Sequence, residues 1–107
     1  MSFTATIAER DQWTIIHLAG ELDIACQADV AAVLDTAVAA GAERVVIDFA
    51  ALTFIDTGGM GGILGAAASA DLLGVDVVVS NPSLLAGHVL AVSGFRDVIT
   101  TPIPLAS

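Results

Sequence analysis

Apolar and polar residues alternate from Phe3 to Ala8, with Phe3, Ala5 and Ile7 on one side, which is the period of a half-buried strand. The polar stretch Glu9-Arg10-Asp11-Gln12 predicts a turn and Trp13 to Leu18 a second strand, so the chain opens on a hairpin. Gly20-Glu21-Leu22-Asp23 is expected to turn the chain off that strand. The period then changes. From Gln27 to Ala40 the residues Val30, Val33, Leu34, Ala37 and Val38 fall on one face of a helix, which Gly41 is placed to end. Val45–Phe49 predicts a strand, followed by a short connector carrying Leu52, Phe54 and Ile55. Asp56-Thr57-Gly58-Gly59 makes a polar corner. Met60, Ile63, Leu64 and Ala67 then start a new helical face, closed by Gly74. Val75 to Val79 is a further short apolar strand. Asn81-Pro82 reads as a cap followed by proline at the first helical position, with Leu85, Val89 and Val92 facing inward up to Gly94. Phe95, Val98 and Ile99 predict an edge strand, and residues 100–107, with Pro102 and Pro104, a frayed tail.

This alternation predicts an α/β sheet with helices on its faces, in one domain over residues 1–107. Hydrophobic residues make up 56% of the chain and charged residues 14%, so it should fold and leave apolar surface for a partner. The net charge is −9, there is no Lys, and Arg10, Arg44 and Arg96 are the only fixed cations. A chain without a basic patch is poorly suited to nucleic acid or to an anionic membrane surface. Cys26 stands alone, which excludes an internal disulfide and fits a reducing compartment. MSFTATIAER lacks the pattern of a signal peptide, and no apolar run approaches the roughly 20 residues of a membrane span. The expected location is cytoplasmic, without membrane insertion.

The corner carries the candidate chemistry. Asp56 or Thr57 can cap a helix whose first amides are otherwise unpaired. Gly58 and Gly59 strip side chains from that point, so the backbone of another molecule or a phosphate is expected to approach closely. A hydroxyl and a carboxylate on a bare helix N-terminus suit a regulatory switch better than a catalytic centre. Enzyme readings fail on missing parts. A dinucleotide fingerprint would need glycine at Met60, and a P-loop or a receiver-type pocket around Asp48 and Asp56 would need a lysine. No nucleophile elbow is present, and neither His17 nor His88 has an orienting acid in the sequence. No enzyme activity, cofactor or metal is expected. Gly61, Gly62 and Gly65 each cost about 1 kcal/mol relative to alanine inside a helix. Two explanations stay open: tight packing within the domain, or a partner lying on a face reduced to glycine and to Ala66, Ala68 and Ala70.

Gly20-Glu21-Leu22-Asp23, Val46-Ile47-Asp48-Phe49 and Phe54-Ile55-Asp56-Thr57-Gly58-Gly59-Met60-Gly61, with Asn81-Pro82 and Ser93-Gly94-Phe95 later on, resemble the landmarks of STAS domains. The resemblance spans nearly the whole chain and is nearest to bacterial anti-sigma-factor antagonists. It implies a mixed sheet of four to five strands flanked by helices and a non-enzymatic binding module. Its implied partner is an anti-sigma factor that is also a serine-protein kinase, whose sequestration frees a sigma factor. Partner binding is then expected at Asp56, Thr57, Gly58, Gly59, Met60 and Gly61, with Asp23 at the rim. On this view Gly59→Glu abolishes binding and spares the fold. One departure matters. The family's Asp-Ser-Ser-Gly puts the phosphorylated serine second after the aspartate, which is Gly58 here. In stressosome relatives the acceptor directly follows the aspartate, which makes Thr57 the candidate phosphorylation site. The switch is therefore either shifted to Thr57 or lost. The alternative role is that of a STAS adaptor subunit in a transport system such as a lipid-transport ATPase.

Overall fold

The computed structural model describes residues 2–92 and the strand at 98–99. Asp11, at φ 55°, lets the chain reverse in two residues, so β1 (Phe3–Arg10) and β2 (Trp13–Leu22) pair antiparallel from Arg10–Trp13 to Phe3–Gly20. A 3₁₀ turn, Ile24–Cys26, leads into α1 (Gln27–Ala39). β3 (Arg44–Ile55), α2 (Thr57–Leu72), β4 (Asp76–Ser80), α3 (Leu84–Val92) and β5 (Val98–Ile99) follow. The strands lie in the order β1-β2-β3-β4-β5, and every pair after the hairpin is parallel. This is the α/β class and the mixed, helix-flanked sheet that were expected. The Val98–Ile99 edge strand is also present. Gly94, Phe95 and the tail at 100–107 lie outside the described residues.

Successive strand residues point to opposite faces. On one face Ile16, Leu18, Val45, Ile47, Phe49 and Val79 pack against Val30, Leu34 and Ala37 of α1 and against Met60, Ile63 and Ala70 of α2. Val33, Val38 and Leu64 add partly buried contacts, so the helical faces read from the spacing are the packed ones. On the reverse face Ile15, Val46 and Val78 form a smaller buried cluster beside Trp13. The Arg44 guanidinium lies over the Trp13 ring, 4.1 Å from its centroid.

Three local expectations are corrected. The segment at 50–55 is strand, not connector, and Gly20-Glu21-Leu22 continues β2 rather than leaving it. Both errors have one cause. Between His17 and Ala19, and again between Gly20 and Glu21, the pairing shifts, and each shift gives β3 one residue more than β2. Phe49, Leu52 and Ile55 therefore recur every third residue instead of every second, and the strand period disappears from the sequence. Gly20, at φ 94°, accommodates the irregularity on β2; a β-carbon there would collide with the Ser2 carbonyl oxygen. The third correction concerns α3. Its cap is Ser83, whose Oγ accepts the Ala86 N–H at 3.1 Å, while Asn81 takes φ 54° and turns its side chain away. Ala86 and Leu90 are the buried residues of α3, and Leu85 and Val92 are exposed. Leu84 to Val92 is apolar almost all round, so periodicity could not select a face.

His17 does have an orienting acid, contrary to the sequence reading. Its Nδ1 lies 3.0 Å from Asp48 Oδ2 on the neighbouring strand. Asp48 Oδ1 accepts from Asn81 Nδ2 at 2.9 Å, from the Ala50 N–H at 3.1 Å and from the buried Ser80 Oγ at 3.1 Å. Carboxylate, not imidazole, is at the centre of this cluster, and the buried Ser80 hydroxyl donates to it. The cluster ties the middles of β2 and β3 to the end of β4. Desolvation pushes the Asp48 pKa up, but the bonds from Asn81, the Ala50 amide, His17 and Ser80 outweigh it and hold it below the ordinary value. A depressed carboxylate contributes stability that is complete above its unfolded pKa of about 3.9 and is lost as pH falls through the folded value. In a His17→Gln background, which removes the neighbouring imidazole, the stability lost on Asp48→Asn should be constant from neutral pH to about pH 5 and shrink below about pH 4, measured by urea unfolding.

Candidate functional site

β3 ends beside the end of β2, and the polar corner forms where the two strands stop. The Asp56 N–H donates to the Leu22 carbonyl at 3.2 Å, in line with the Leu22–Ile55 pairing. Asp56 is extended at φ −112° and is the cap of α2: its Oδ1 accepts the Gly59 N–H at 2.8 Å and its carbonyl the Met60 N–H at 2.9 Å. Thr57 is thus the first helical residue rather than the cap. It is exposed, and among the described residues no group bonds its hydroxyl. Asp23 follows Leu22 on the adjoining loop and caps the 3₁₀ turn, its Oδ1 accepting the Ala25 N–H at 3.0 Å.

The glycines bind the loop to the corner. A β-carbon on Gly59 would collide with the Leu22 carbonyl oxygen, and one on Gly58 would lie 2.6 Å from Ile24 Cβ. A β-carbon on Gly62 would lie 2.9 Å from Gln27 Cγ, and the Gln27 amide donates to the Gly58 carbonyl at 2.7 Å. The close approach expected of a phosphate or a partner backbone is therefore made by the chain itself. Within α2 only Gly61 and Gly65 meet nothing closer than ordinary contact, so packing explains part of the glycine-rich helix and not the rest. Gly58, Gly59 and Gly62 serve packing; Gly61 and Gly65 leave open surface.

Of the seven residues expected at a partner interface, Gly59 and Met60 are buried and support the corner from beneath. Thr57 and Gly61 are exposed, and Asp23, Asp56 and Gly58 are half-buried. Gly59→Glu would break the fold locally and cannot serve as an interface probe. Two residues at the site escaped the sequence reading. Gln27 opens α1 without any periodic signature, and Ile24, 68% exposed, sits against Gly58. The available signal for Ile24 was a large apolar residue belonging to neither helical face.

Cys26 lies below the same loop, its thiol 3.5 Å from the Glu21 carbonyl and from Asp23 Oδ1. A hydrogen bond with the Asp23 backbone favours the thiolate, but burial and the Asp23 and Asp29 carboxylates outweigh it, so the thiol's pKa is raised. Among the described residues no group of three or more His, Cys, Asp or Glu side chains is placed to hold a metal ion. Nor is any described helix long and apolar enough to cross a membrane. Gly59→Ala should lower stability by at least about 1–3 kcal/mol through overpacking against Leu22, whereas Gly65→Ala, facing open space, should raise it by up to about 1 kcal/mol; urea unfolding of both variants checks this.

The STAS domain family matches residues 4–106. The unphosphorylated form of the anti-sigma factor antagonist SpoIIAA aligns with a TM-score of 0.69 at 25% identity, over 95% of this chain and 90% of its own. The phosphorylated form of SpoIIAA, a Bacillus cell fate determinant, aligns with a TM-score of 0.68 at 28% identity, over 88% and 85%. A sulfate transporter family protein from Wolinella succinogenes gives 0.69 at 18% identity, over 84% and 78%, a likeness of fold. No curated protein matches the chain at a significant level. With its mixed sheet, its aspartate-capped corner and a family match from residue 4 to residue 106, the chain belongs to the STAS domain family.

Proposed function

We propose that this STAS domain is a regulatory binding module: an anti-sigma-factor antagonist that sequesters an anti-sigma kinase, frees a sigma factor and carries out no chemistry of its own. The observation that carries the reading is the corner. A rigid, carboxylate-capped helix start presents one exposed hydroxyl, Thr57, next to the Asp23 loop, and SpoIIAA, an antagonist known in phosphorylated and unphosphorylated forms, shares the fold at 25% and 28% identity. Asp23, Asp56, Thr57, Gly58 and Gly61, with Ile24, are the residues through which the partner is bound. An adaptor role in a transport system has less support, since the transporter-related neighbour shares 18% identity and so only the fold.

The switch itself is weakened or lost. Gly58 stands at the position of the family's usual acceptor, and Ile24 fills the space that a side chain there would need. Thr57 remains as a shifted acceptor. A phosphate there would add about −1.5 to −2 charges beside Asp56, in a chain already at −9. The helix N-terminus returns only about 0.3–1 kcal/mol per charge, and the Gly59 amide is already taken by Asp56. Such a phosphate would be tolerated by the fold and would act on the interface, where a doubly charged group must be desolvated against the partner. Thr57→Glu should therefore fold but lose binding to the kinase, and Thr57→Ala should bind as the wild type. Incubation with the cognate kinase and ATP, followed by peptide mass spectrometry, should give well under stoichiometric phosphate on Thr57; complete modification there would establish a shifted, working switch.

A further inference from the structure

The bulged end of β3 and the beginning of α3 enclose a cavity of about 610 Å³, within the range of roughly 300–1,000 Å³ seen for sites that enclose ligands. Buried Phe49 and Met60 form its floor, half-buried Leu52 and Val89 its walls, and Phe54 and Leu85, 48% and 74% exposed, its rim. Thr53 Oγ1 bonds the Gly20 carbonyl, Ser83 Oγ the Ala86 amide and Asp56 Oδ1 the Gly59 amide, while Asp56 Oδ2 makes no hydrogen bond among the described residues. Thr57 is the one lining hydroxyl without a bond among the described residues. Most of the lining is apolar, which favours an apolar occupant, with the unpaired Asp56 oxygen and Thr57 hydroxyl on the side of the corner. No described cation lines the cavity, Asp56 does, and the chain has three arginines against twelve acids, so an anion is disfavoured and basic flanks are favoured.

Asp56 and Thr57 belong to the corner and to the cavity alike, so a protein docked on the corner covers the cavity mouth. We propose that this cavity receives a large apolar side chain, aromatic or leucine-like, carried on a basic segment of the partner protein. The inference rests on the antagonist reading above and adds to it the chemistry of the contact: an anchor buried in an apolar pocket, which is where binding energy concentrates, with arginine or lysine beside it to meet Asp56 and Asp23. Leu85 marks the rim. Leu84, its neighbour on the same helix, is 94% exposed and does not line this cavity.

An NMR titration of the ¹⁵N-labelled domain with a short synthetic peptide, one tryptophan flanked by arginines, tests this. Amide shifts should concentrate at Leu52, Phe54, Leu85 and Val89 and vanish when alanine replaces the tryptophan. Binding should weaken at least about tenfold with glutamates in place of the arginines or with Leu85→Glu in the domain, and Leu84→Glu should bind as the wild type. Shifts elsewhere, no shifts, or equal effects of Leu84→Glu and Leu85→Glu would overturn the proposal. So would free indole binding as tightly as the peptide, which would make the cavity a small-molecule site. Binding of the purified anti-sigma kinase separates the two readings. A kinase that binds the wild type and Leu85→Glu equally refutes the anchor and keeps the antagonist role; one that binds neither, beside the expected peptide pattern, refutes the role and keeps the anchor.

Discussion

The carbonyl oxygen of Leu22 holds the polar corner of this domain together. It accepts the Asp56 N–H and lies against the bare α-carbon of Gly59, so one backbone atom fixes both the entry to α2 and its distance from β2. The side chain of Asp56 then closes the first turn on Gly59, and Gln27 locks the Gly58 carbonyl from the start of α1. Asp23 and Thr57, far apart in sequence, become parts of one rigid surface because of contacts made by neither of them. The glycines are required here because the backbones of two elements approach within van der Waals range.

Further along the same strands, the Asp48 cluster has a complementary effect. Hydrogen bonds from His17, Ala50, Ser80 and Asn81 converge on one carboxylate and fix β2, β3 and β4 to one another just before β3 begins to bulge. The regular part of the sheet is pinned there, and the irregular pairing begins beyond it. That division explains why the cavity lies beside the corner: the bulges carry Leu52 and Phe54 out of the regular lattice, and α3 packs on the core through Ala86 and Leu90 without closing the gap.

Much of the architecture was legible in the sequence, for physical reasons. α1 carries a single apolar face, Val30 to Val38, and a helix with one such face has one way to pack. The Val45–Phe49 run is buried from both sides and could only be a central strand. What failed to show was anything set by a partner distant in sequence. The bulges hid the second half of β3, since a strand that gains residues loses its period. α3 hid its face by being apolar all round. The glycine pair was read as an opening for another molecule, because a sequence shows that a side chain is missing but not what occupies its place. The corner itself was legible, Asp56 among its possible caps, because capping depends on residues within one turn.

The contact between Gly58 and Ile24 has a consequence for how such a domain changes over time. The backbone and β-carbon of residue 24 lie where a side chain at position 58 would stand, which makes the loop and the helix start interdependent. A serine at 58 would meet Ile24 Cβ, with the Ile24 backbone 3.1 Å away. These are atoms that every residue but glycine carries, so shortening the isoleucine makes no room and the loop backbone itself must move. What is tolerated at 58 is thus decided by the path of the chain at 24, a constraint that substitution at either position alone does not lift.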